Sequence, residues 1–373
     1  MKRIKVACFG VKAIPYTGGI ENVLTNTAPI LAKRGYDISI YVRANYTKRY
    51  FKTTDFYGVR VISLPCIPGK RLEAPSHTII SIIHAVITGH DLFFFHGVVL
   101  GFFTVIPRLI GKRVVLQTHG LDWKREKWGW FASRIIRLAG AIAARVPHLT
   151  FCVGKEDARY FETKYKKTLP VVFNGINSAI KSDSRDYLRL QGLKECQFFL
   201  FMSRLVPEKG CHLLVEAWEQ VDPNIKNNMK LAIAGDTNYR DSYYHKLVSR
   251  GNHDTIFLGF VDGEHKQQLL SNAAAYIQPS TIEGHSVALL EAMSYGLFTV
   301  VSDINENVDV VGDKYGTTFR CGNPNSLKSV LEHILATKTY ISYNSKDMVN
   351  SVLSQYNWEE IVKEIDRLLV DII

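Results

Sequence analysis

A strand, a turn and a helix follow one another in residues 278–293, whose sequence is QPSTIEGHSVALLEAM. The pattern predicts a buried strand that ends at residue 277 and a helix that begins at Val287. Glu283 lies in the turn between them, and Glu291 lies in the second turn of the helix, among apolar neighbours. Backbone N–H groups at the start of a helix attract phosphate, and carboxylates accept hydrogen bonds from sugar hydroxyls. The segment therefore favours a site for a sugar nucleotide.

Apolar segments of strand length alternate with amphipathic helical segments along all 373 residues. In the first half, the predicted strands are Ile4–Phe9, Ile38–Val42, Val59–Ile62, Leu92–Phe95, Val114–Gln117, Leu149–Cys152 and Val171–Phe173. In the second half, they are Phe198–Met202, Lys230–Ala234, Thr255–Phe257, Ala274–Ile277 and Phe298–Val301. Strands that alternate with helices predict parallel sheets that are covered on both faces.

The chain is too long for one compact core, and a polar stretch at residues 174–194 interrupts the alternation. We therefore expect an α/β protein with two doubly wound, Rossmann-like domains that face each other across a cleft. The first domain spans residues 1–180 and the second spans residues 181–355, and a helix at residues 356–373 is expected to pack back on the first domain. In such sheets, ligands bind beyond the carboxyl ends of the strands.

Three more segments place glycines or polar residues directly after predicted strands. Gly18 and Gly19 open a helix and suit an anion, although a plain tight turn explains them equally well. His119 follows the fifth strand, where a structural histidine is the alternative to a functional one. Arg204 and Lys209 flank the start of a helix and together suit a diphosphate, with two solvated surface cations as the alternative.

The two halves of the chain carry opposite charge. Residues 1–180 hold 27 Lys and Arg against 10 Asp and Glu, a net charge of +17, whereas residues 181–373 hold 19 against 25, a net charge of −6. Lys124, Arg125, Lys127 and Trp128 combine cations with an aromatic ring and suit an acceptor or an anionic membrane surface. A helix that packs its apolar face inward is the alternative. The sequence contains no recognised nucleic-acid-binding module, so we expect no nucleic-acid partner.

Three features bear on where the protein resides. The six cysteines are scattered, with no C-x-x-C pair and no histidine at zinc spacing, which favours a reducing compartment. The first ten residues read as a buried strand rather than a signal peptide. The apolar region from Thr78 to Ile110 is interrupted by polar residues and predicts a buried helix, strand and helix rather than a membrane span. We expect a cytoplasmic protein that is peripheral at the inner face of the cytoplasmic membrane.

Taken in order, these segments resemble the retaining glycosyltransferases of family 4, which have the two-domain GT-B fold. The resemblance covers nearly the whole chain and rests on four motifs: Gly18-Gly19-Ile20-Glu21, Ser203-Arg204 to Lys209-Gly210, Ala234-Gly235-Asp236 and Glu283-x7-Glu291. The stretch from His119 to Gly129 further resembles bacterial enzymes that add sugars to cell-surface polysaccharides. At His285-Ser286 the sequence departs from the family, because many members carry an aromatic residue and a glycine there.

The resemblance implies a catalytic role for four side chains. His119 would contact the transferred sugar, and Glu283 would hold its hydroxyls. Arg204 and Lys209 would neutralise the diphosphate as it leaves.

The resemblance also implies a binding site for the donor. Gly18 and Gly19 would lie near its phosphates and the acceptor, and Glu291 would accept hydrogen bonds from the ribose hydroxyls. The backbone at Ser286, Val287 and Ala288 would approach the phosphates.

The expected reaction is retaining transfer of a sugar from a nucleoside diphosphate sugar to a lipid-linked or cell-surface glycan. The sequence contains no D-x-D triplet, so we expect no metal and no cofactor, with UDP as the favoured nucleotide and GDP as the second choice. No side chain is an obvious nucleophile, which favours front-face substitution over a covalent double displacement. A sugar-nucleotide epimerase of the same architecture and a non-enzymatic binding protein are the alternative functions.

Overall fold

The computed structural model describes residues 3–16, 18–69, 72–121, 123, 129–237, 240–342 and 345–373. The chain forms two compact units, one of residues Met1–Gly175 with Trp358–Ile373, and one of residues Ile176–Asn357. Both boundaries lie within a few residues of those expected from the sequence. Each unit is an α/β structure built on a parallel sheet, which confirms the predicted fold class.

The first unit contains a seven-stranded sheet in the order β3-β4-β2-β1-β5-β6-β7. Its strands are β1 (Lys5–Phe9), β2 (Asp37–Arg43), β3 (Lys52–Phe56), β4 (Val59–Leu64), β5 (Leu92–His96), β6 (Arg113–Thr118) and β7 (Leu149–Cys152). Its helices up to residue 165 are α1 (Gly19–Lys33), α2 (Ala44–Thr47), α3 (Glu73–Ile87), a 3-10 helix (Val98–Thr104), α4 (Val105–Leu109), α5 (Trp130–Ala143) and α6 (Lys155–Tyr165). All strand pairs are parallel except the edge pair β3–β4.

Alternate residues of the central strands face two separate cores, as expected for a sheet covered on both faces. On β5, Phe94 packs into the core beneath α1, whereas Phe93 and Phe95 pack into the core on the other face. Two sequence predictions need correction here. Val171–Phe173 is not a strand and forms one isolated bridge, Val171 with Cys152. The second helix predicted within the region from Thr78 to Ile110 begins as a 3-10 helix, Val98–Thr104.

The second unit contains a six-stranded sheet in the order β10-β9-β8-β11-β12-β13. Its strands are β8 (Phe198–Met202), β9 (Lys230–Ala234), β10 (Thr255–Gly259), β11 (Ala275–Gln278), β12 (Phe298–Ser302) and β13 (Gly316–Phe319). Its helices are α7 (Asp186–Leu190), a 3-10 helix (Pro207–Lys209), α8 (Cys211–Glu219), α9 (Pro223–Lys226), α10 (Ser242–Val248), α11 (Gly263–Asn272), α12 (Val287–Ser294), α13 (Asn305–Val311), α14 (Pro324–Thr337), α15 (Thr339–Ser342) and α16 (Ser345–Gln355). Every strand pair is parallel, so all carboxyl ends lie at one edge of the sheet.

The last helix, α17 (Trp358–Val370), completes the first unit by packing on α1. Its apolar face, which includes Trp358 and Ile365, is buried in the same core as Leu24 of α1. The Tyr36 hydroxyl donates a hydrogen bond of 2.8 Å to Asp366 and fixes the helix from the polar side. Across the described parts of the chain, we find no helix with the length and apolar character that crossing a bilayer requires.

Candidate active site

Three loops interlock at the carboxyl edge of the second sheet because two glycines leave room for neighbouring backbone. A Cβ atom at Gly210 would lie 2.0 Å from the carbonyl oxygen of Pro279, and Gly210 has a positive φ of 68°. A Cβ atom at Gly235 would lie 1.9 Å from the carbonyl oxygen of Ser203. Both distances are shorter than any real contact, so these positions require glycine. The close approach brings the loops that follow β8, β9 and β11 together.

Lys209 and Glu283 form an ion pair in this loop cluster. The Lys209 Nζ atom lies 2.6 Å from each carboxylate oxygen of Glu283. The side chains are only 15% and 7% exposed, so the pair is largely shielded from water. The sequence predicted both residues as catalytic but gave no reason to expect that they contact each other.

The N-terminus of α12 is held in place by a buried chain of polar side chains. The Ser286 hydroxyl caps the helix by accepting from the N–H of Leu289, and it donates to the Gln278 side chain at 2.8 Å. Gln278 in turn donates to Asn307 at 2.7 Å. The network fixes the first turn, where the N–H groups of residues such as Val287 and Ala288 have no helical acceptor and point out of the helix end. Gln278 and Asn307 were missed because polar residues in a strand and a helix carry no sign of mutual contact.

His285 acts as a buried aromatic ring. It is 7% exposed, and its ring centroid lies 5.0 Å from that of Tyr356. Burial lowers the pKa of His285 to about 3, so the imidazole is neutral near pH 7. His285 therefore still provides an aromatic ring where many family members have an aromatic residue. Ser286 replaces the glycine of those members and provides the hydroxyl that caps α12.

Glu291 lies in the second turn of α12 and forms an ion pair with Lys266 of α11. The Lys266 Nζ atom is 2.6 Å from Oε1 of Glu291, and the side chains are 32% and 22% exposed. Tyr276 lies close by, and its pKa is raised by burial and by the carboxylates of Glu283 and Glu291. The sequence predicted Glu291 but not Lys266, because a lysine on an exposed helix carries no local signal of its partner.

Arg204 follows β8 at the same edge of the sheet and is exposed to solvent. Because β8 and β11 are neighbouring parallel strands, Arg204 and the loop that contains Glu283 leave the sheet side by side. The second unit therefore brings together, at one edge, the predicted residues Arg204, Lys209, Glu283, Ser286, Val287, Ala288 and Glu291.

In the first unit, Gly18 and Gly19 form the turn that opens α1. Glu21 folds back over this turn and accepts a hydrogen bond from the N–H of Lys12 at 3.0 Å. A Cβ atom at Gly18 would lie 2.0 Å from Oε2 of Glu21, so a larger residue there would displace the Glu21 carboxylate. Gly19 has open space around it and is exposed, which leaves the start of α1 accessible to a ligand.

His119 follows β6 at the carboxyl edge of the first sheet and is held from both sides by Asp157 of α6. The Asp157 carboxylate accepts from the Thr118 hydroxyl at 2.9 Å and from the N–H of Gly120 at 3.0 Å. The His119 ring also lies 5.7 Å from the ring of His96, which is fully buried at the end of β5. Asp157 was missed because an acidic residue in the first turn of a helix is common for electrostatic reasons alone.

The predicted acceptor or membrane residues Lys124, Arg125, Lys127 and Trp128 lie outside the described residues. Within the residues that are described, no three His, Cys, Asp or Glu side chains cluster closely enough to hold a metal ion.

Two family models match the chain in sequence order. Residues 17–179 match the Glycosyltransferase Family 4 model, and residues 190–350 match the Glycosyl transferases group 1 model. An uncharacterized glycosyltransferase of Methanocaldococcus jannaschii is 27% identical over 56% of this chain and 55% of its own length. The O-antigen chain mannosyltransferase B of Escherichia coli is 26% identical over 43% of this chain and 42% of its own length. The chain thus spans about half the length of these two relatives.

A third relative matches nearly end to end. The UDP-Gal:alpha-D-GlcNAc-diphosphoundecaprenol alpha-1,3-galactosyltransferase of Escherichia coli is 23% identical over 98% of this chain and 96% of its own. Among solved structures, sucrose-phosphate synthase from Thermosynechococcus elongatus is 18% identical with a TM-score of 0.84, covering 99% of both chains. Anabaena Alr3699/HepE in complex with UDP-glucose is 17% identical with a TM-score of 0.77, covering 99% of this chain and 100% of that one. At these identities, the structural matches show a shared fold.

Proposed function

We propose a specific reaction for this chain, which belongs to the glycosyltransferases with a family 4 domain in its first half and a group 1 domain in its second. It transfers a sugar from a nucleoside diphosphate sugar to a lipid-linked or cell-surface glycan, with retention of configuration. The observation that carries this proposal is the shielded Lys209–Glu283 pair beside the capped start of α12. It combines a phosphate-binding cation, a hydroxyl acceptor and a helix N-terminus in one cluster.

The chemistry that we propose is front-face substitution. The bond between the anomeric carbon and the diphosphate oxygen breaks, a bond to the acceptor oxygen forms on the same face, and the departing phosphate takes the acceptor's proton. Negative charge grows on the diphosphate in the transition state, where Arg204, Lys209 and the first N–H groups of α12 stabilise it. These groups perform the role that a metal ion has in other transferases, so the reaction is expected to proceed without metal or cofactor.

The sugar is held by Glu283 and His119 in this proposal. Glu283 accepts hydrogen bonds from sugar hydroxyls while Lys209 keeps its carboxylate in place. His119 contacts the transferred sugar from a loop that Asp157 makes rigid. Rigid placement favours the transition state because no reorganisation is needed during the reaction.

UDP is the proposed nucleotide, with GDP as the second choice. Support comes from the relative whose name specifies UDP-Gal and from the structural neighbour solved with UDP-glucose. The same relative acts on a diphosphoundecaprenol-linked sugar, and this supports a lipid-linked acceptor for the present chain.

A lipid-linked acceptor implies contact with a membrane surface, and α5 is suited to it. Trp130, Phe131 and Leu138 are 71%, 70% and 56% exposed, and the guanidinium of Arg134 lies 4.2 Å above the Trp130 ring. Helices α3 and α4, which like α5 contact the 3-10 helix Val98–Thr104, expose further isoleucine and leucine side chains. Apolar side chains interleaved with cations favour the interface of an anionic bilayer. We propose a cytoplasmic protein that binds the inner face of the membrane peripherally.

Co-sedimentation with liposomes tests the membrane contact. Binding is expected to vesicles that contain anionic lipid, to weaken as salt rises, and to weaken in the variant Lys124→Ser/Arg125→Ser/Lys127→Ser. If this variant loses transfer to a soluble acceptor and the wild type binds no vesicles, the cations belong to the acceptor site instead.

The reaction itself is tested with radiolabelled UDP-sugars and GDP-mannose, each with and without a polyprenyl diphosphate-linked sugar. Transfer gives labelled lipid only when the acceptor is present. An epimerase would convert the sugar without acceptor, and a binding protein would release no nucleoside diphosphate. Either of these results would overturn the proposal.

A further inference from the structure

Among the described residues, Lys266 forms the ion pair with Glu291. The two residues lie on different helices. Lys266 lies in the second turn of α11, which follows β10, and Glu291 lies in the second turn of α12, which follows β11. The contact joins Nζ and Oε1 at 2.6 Å. The pair is therefore a tertiary contact and differs from the i,i+4 pairs found along a single exposed helix.

The surroundings of Glu291 explain why a cation is held there. Tyr276 of β11 is buried, and Tyr295 follows Glu291 by four residues, at the C-cap of α12. Burial raises the pKa of both tyrosines, and the Glu291 carboxylate adds to this effect. The Glu291 side chain is 22% exposed, and the ammonium group of Lys266 is its charge partner within the described residues.

We infer that Lys266 is a specificity-determining residue of the nucleoside subsite. Together with Glu291, it forms hydrogen bonds with the two hydroxyl groups of the ribose. This inference rests on the proposed function, which assigns the ribose to Glu291. A carboxylate offers about four lone-pair sites, and Lys266 contacts one of its oxygens, Oε1. The other oxygen is left to accept hydrogen bonds from ribose hydroxyls.

Lys266 adds what a carboxylate alone cannot provide. An ammonium group has three N–H donors, so after it donates to Glu291 it can also donate to a hydroxyl oxygen. A ribose hydroxyl is both donor and acceptor, and the Lys266–Glu291 couple matches it with one charged acceptor and one charged donor. Removal of a hydroxyl from the ligand leaves both charged groups without that partner, which costs more than the loss of one neutral hydrogen bond. The couple therefore favours ribonucleotides over deoxyribonucleotides.

Calorimetric titration of the full-length protein tests this with UDP and 2′-deoxy-UDP, or with GDP and 2′-deoxy-GDP if GDP binds more tightly. Lys266→Met is expected to raise the Kd of the ribonucleotide about tenfold and to reduce the preference over its 2′-deoxy counterpart. Lys266→Arg retains the charge and should restore most of that preference. The matched control is Lys328→Met, because Lys328 is 33% exposed and pairs with Glu332 on α14. This control should leave both Kd values unchanged.

Three results separate the possible failures. If Lys266→Met leaves the ribonucleotide Kd unchanged or lowers it, Lys266 does not assist binding and the inference is wrong. If it raises both Kd values by the same factor, the role is structural and the inference is again wrong. If Glu291→Ala also leaves the Kd unchanged, the error lies in the proposed function, since the ribose is not bound by Glu291.

Discussion

Replacing Lys209 with methionine removes the cation beside a carboxylate that is 7% exposed. Removing one member of a buried ion pair typically costs 3–5 kcal/mol, because the remaining charge stays buried without compensation. Lys209 itself is 15% exposed, so we expect a value near the lower limit. Lys209→Met should reduce the free energy of unfolding of the second unit by about 3 kcal/mol. It should also reduce turnover more than substrate affinity, because the proposed mechanism assigns Lys209 to charge that grows in the transition state.

A double-mutant cycle isolates the pair. Glu283→Gln should reduce the free energy of unfolding by a similar amount. The double variant Lys209→Met/Glu283→Gln should be only slightly less stable than either single variant. The coupling energy between the two residues should therefore be about 3 kcal/mol. Hydrogen exchange in β8 and β11 is the suitable measurement, because the two units need not unfold together. Exchange in β1 and β5 of the first unit should stay unchanged.

The control is a second shielded ion pair in the same unit. Lys226 lies 2.9 Å from Asp254, with side chains 11% and 19% exposed. Lys226→Met should destabilise the unit to a comparable degree and leave turnover of the folded protein intact. If the losses in unfolding free energy of Lys209→Met and Glu283→Gln simply add, the two side chains are not coupled. If Lys226→Met lowers turnover as much as Lys209→Met does, the loss of turnover is not specific to Lys209.

Three further predictions concern binding, charge and pH. Glu291→Ala should raise the Kd of UDP roughly ten- to a hundredfold in calorimetric titration, whereas Glu283→Ala should mainly lower kcat. A Kd in Glu291→Ala equal to that of the wild type would show that Glu291 does not bind the ribose. Arg204→Ala should lower kcat more than it raises KM, and the EDTA-treated wild type should keep full activity. A strict need for manganese or magnesium would contradict the proposal that protein groups alone stabilise the departing diphosphate. Burial lowers the pKa of His77, whose Nε2 lies 2.9 Å from the Val42 carbonyl oxygen, to about 4. Because the unfolded chain binds this proton near pH 6.5, stability of the first unit should fall between about pH 6.5 and 4, by about 2 kcal/mol at pH 5. Hydrogen exchange at pH 7.5 and 5 should show the loss, and His77→Gln should reduce it.

The central strands of both sheets were predictable because each is a short apolar run that is buried on both faces. Phe198–Met202 and Lys230–Ala234, both inside the second sheet, have the same bounds in the sequence prediction and in the structure, and so does the buried edge strand Leu149–Cys152 of the first sheet. The edge strand β3 was not predicted, because its sequence KTTDF is polar and mostly exposed. It is defined by antiparallel pairing with β4 across a turn at Tyr57 and Gly58, both of which have positive φ.

The residues proposed for the candidate site could be selected from the sequence where they follow strands or lie in the first turns of helices, as for Lys209, Glu283 and Glu291. What the sequence could not supply was the pairing among them. The contacts of Lys209 with Glu283 and of Lys266 with Glu291 join residues that are far apart in the chain or on different helices. Such contacts depend on how the loops pack, and that packing depends on glycines such as Gly210 that local patterns do not distinguish from ordinary turn glycines.

We propose that the chain transfers a sugar with retention of configuration and without a metal ion. The most direct test is the anomeric configuration of the product, read from the proton NMR spectrum after reaction of EDTA-treated protein with an α-linked nucleotide sugar and the lipid-linked acceptor that takes up label. Our account predicts an α-linked product, formed as fast with EDTA as without it. A β-linked product, or a product that forms only when a divalent metal ion is added, would contradict it.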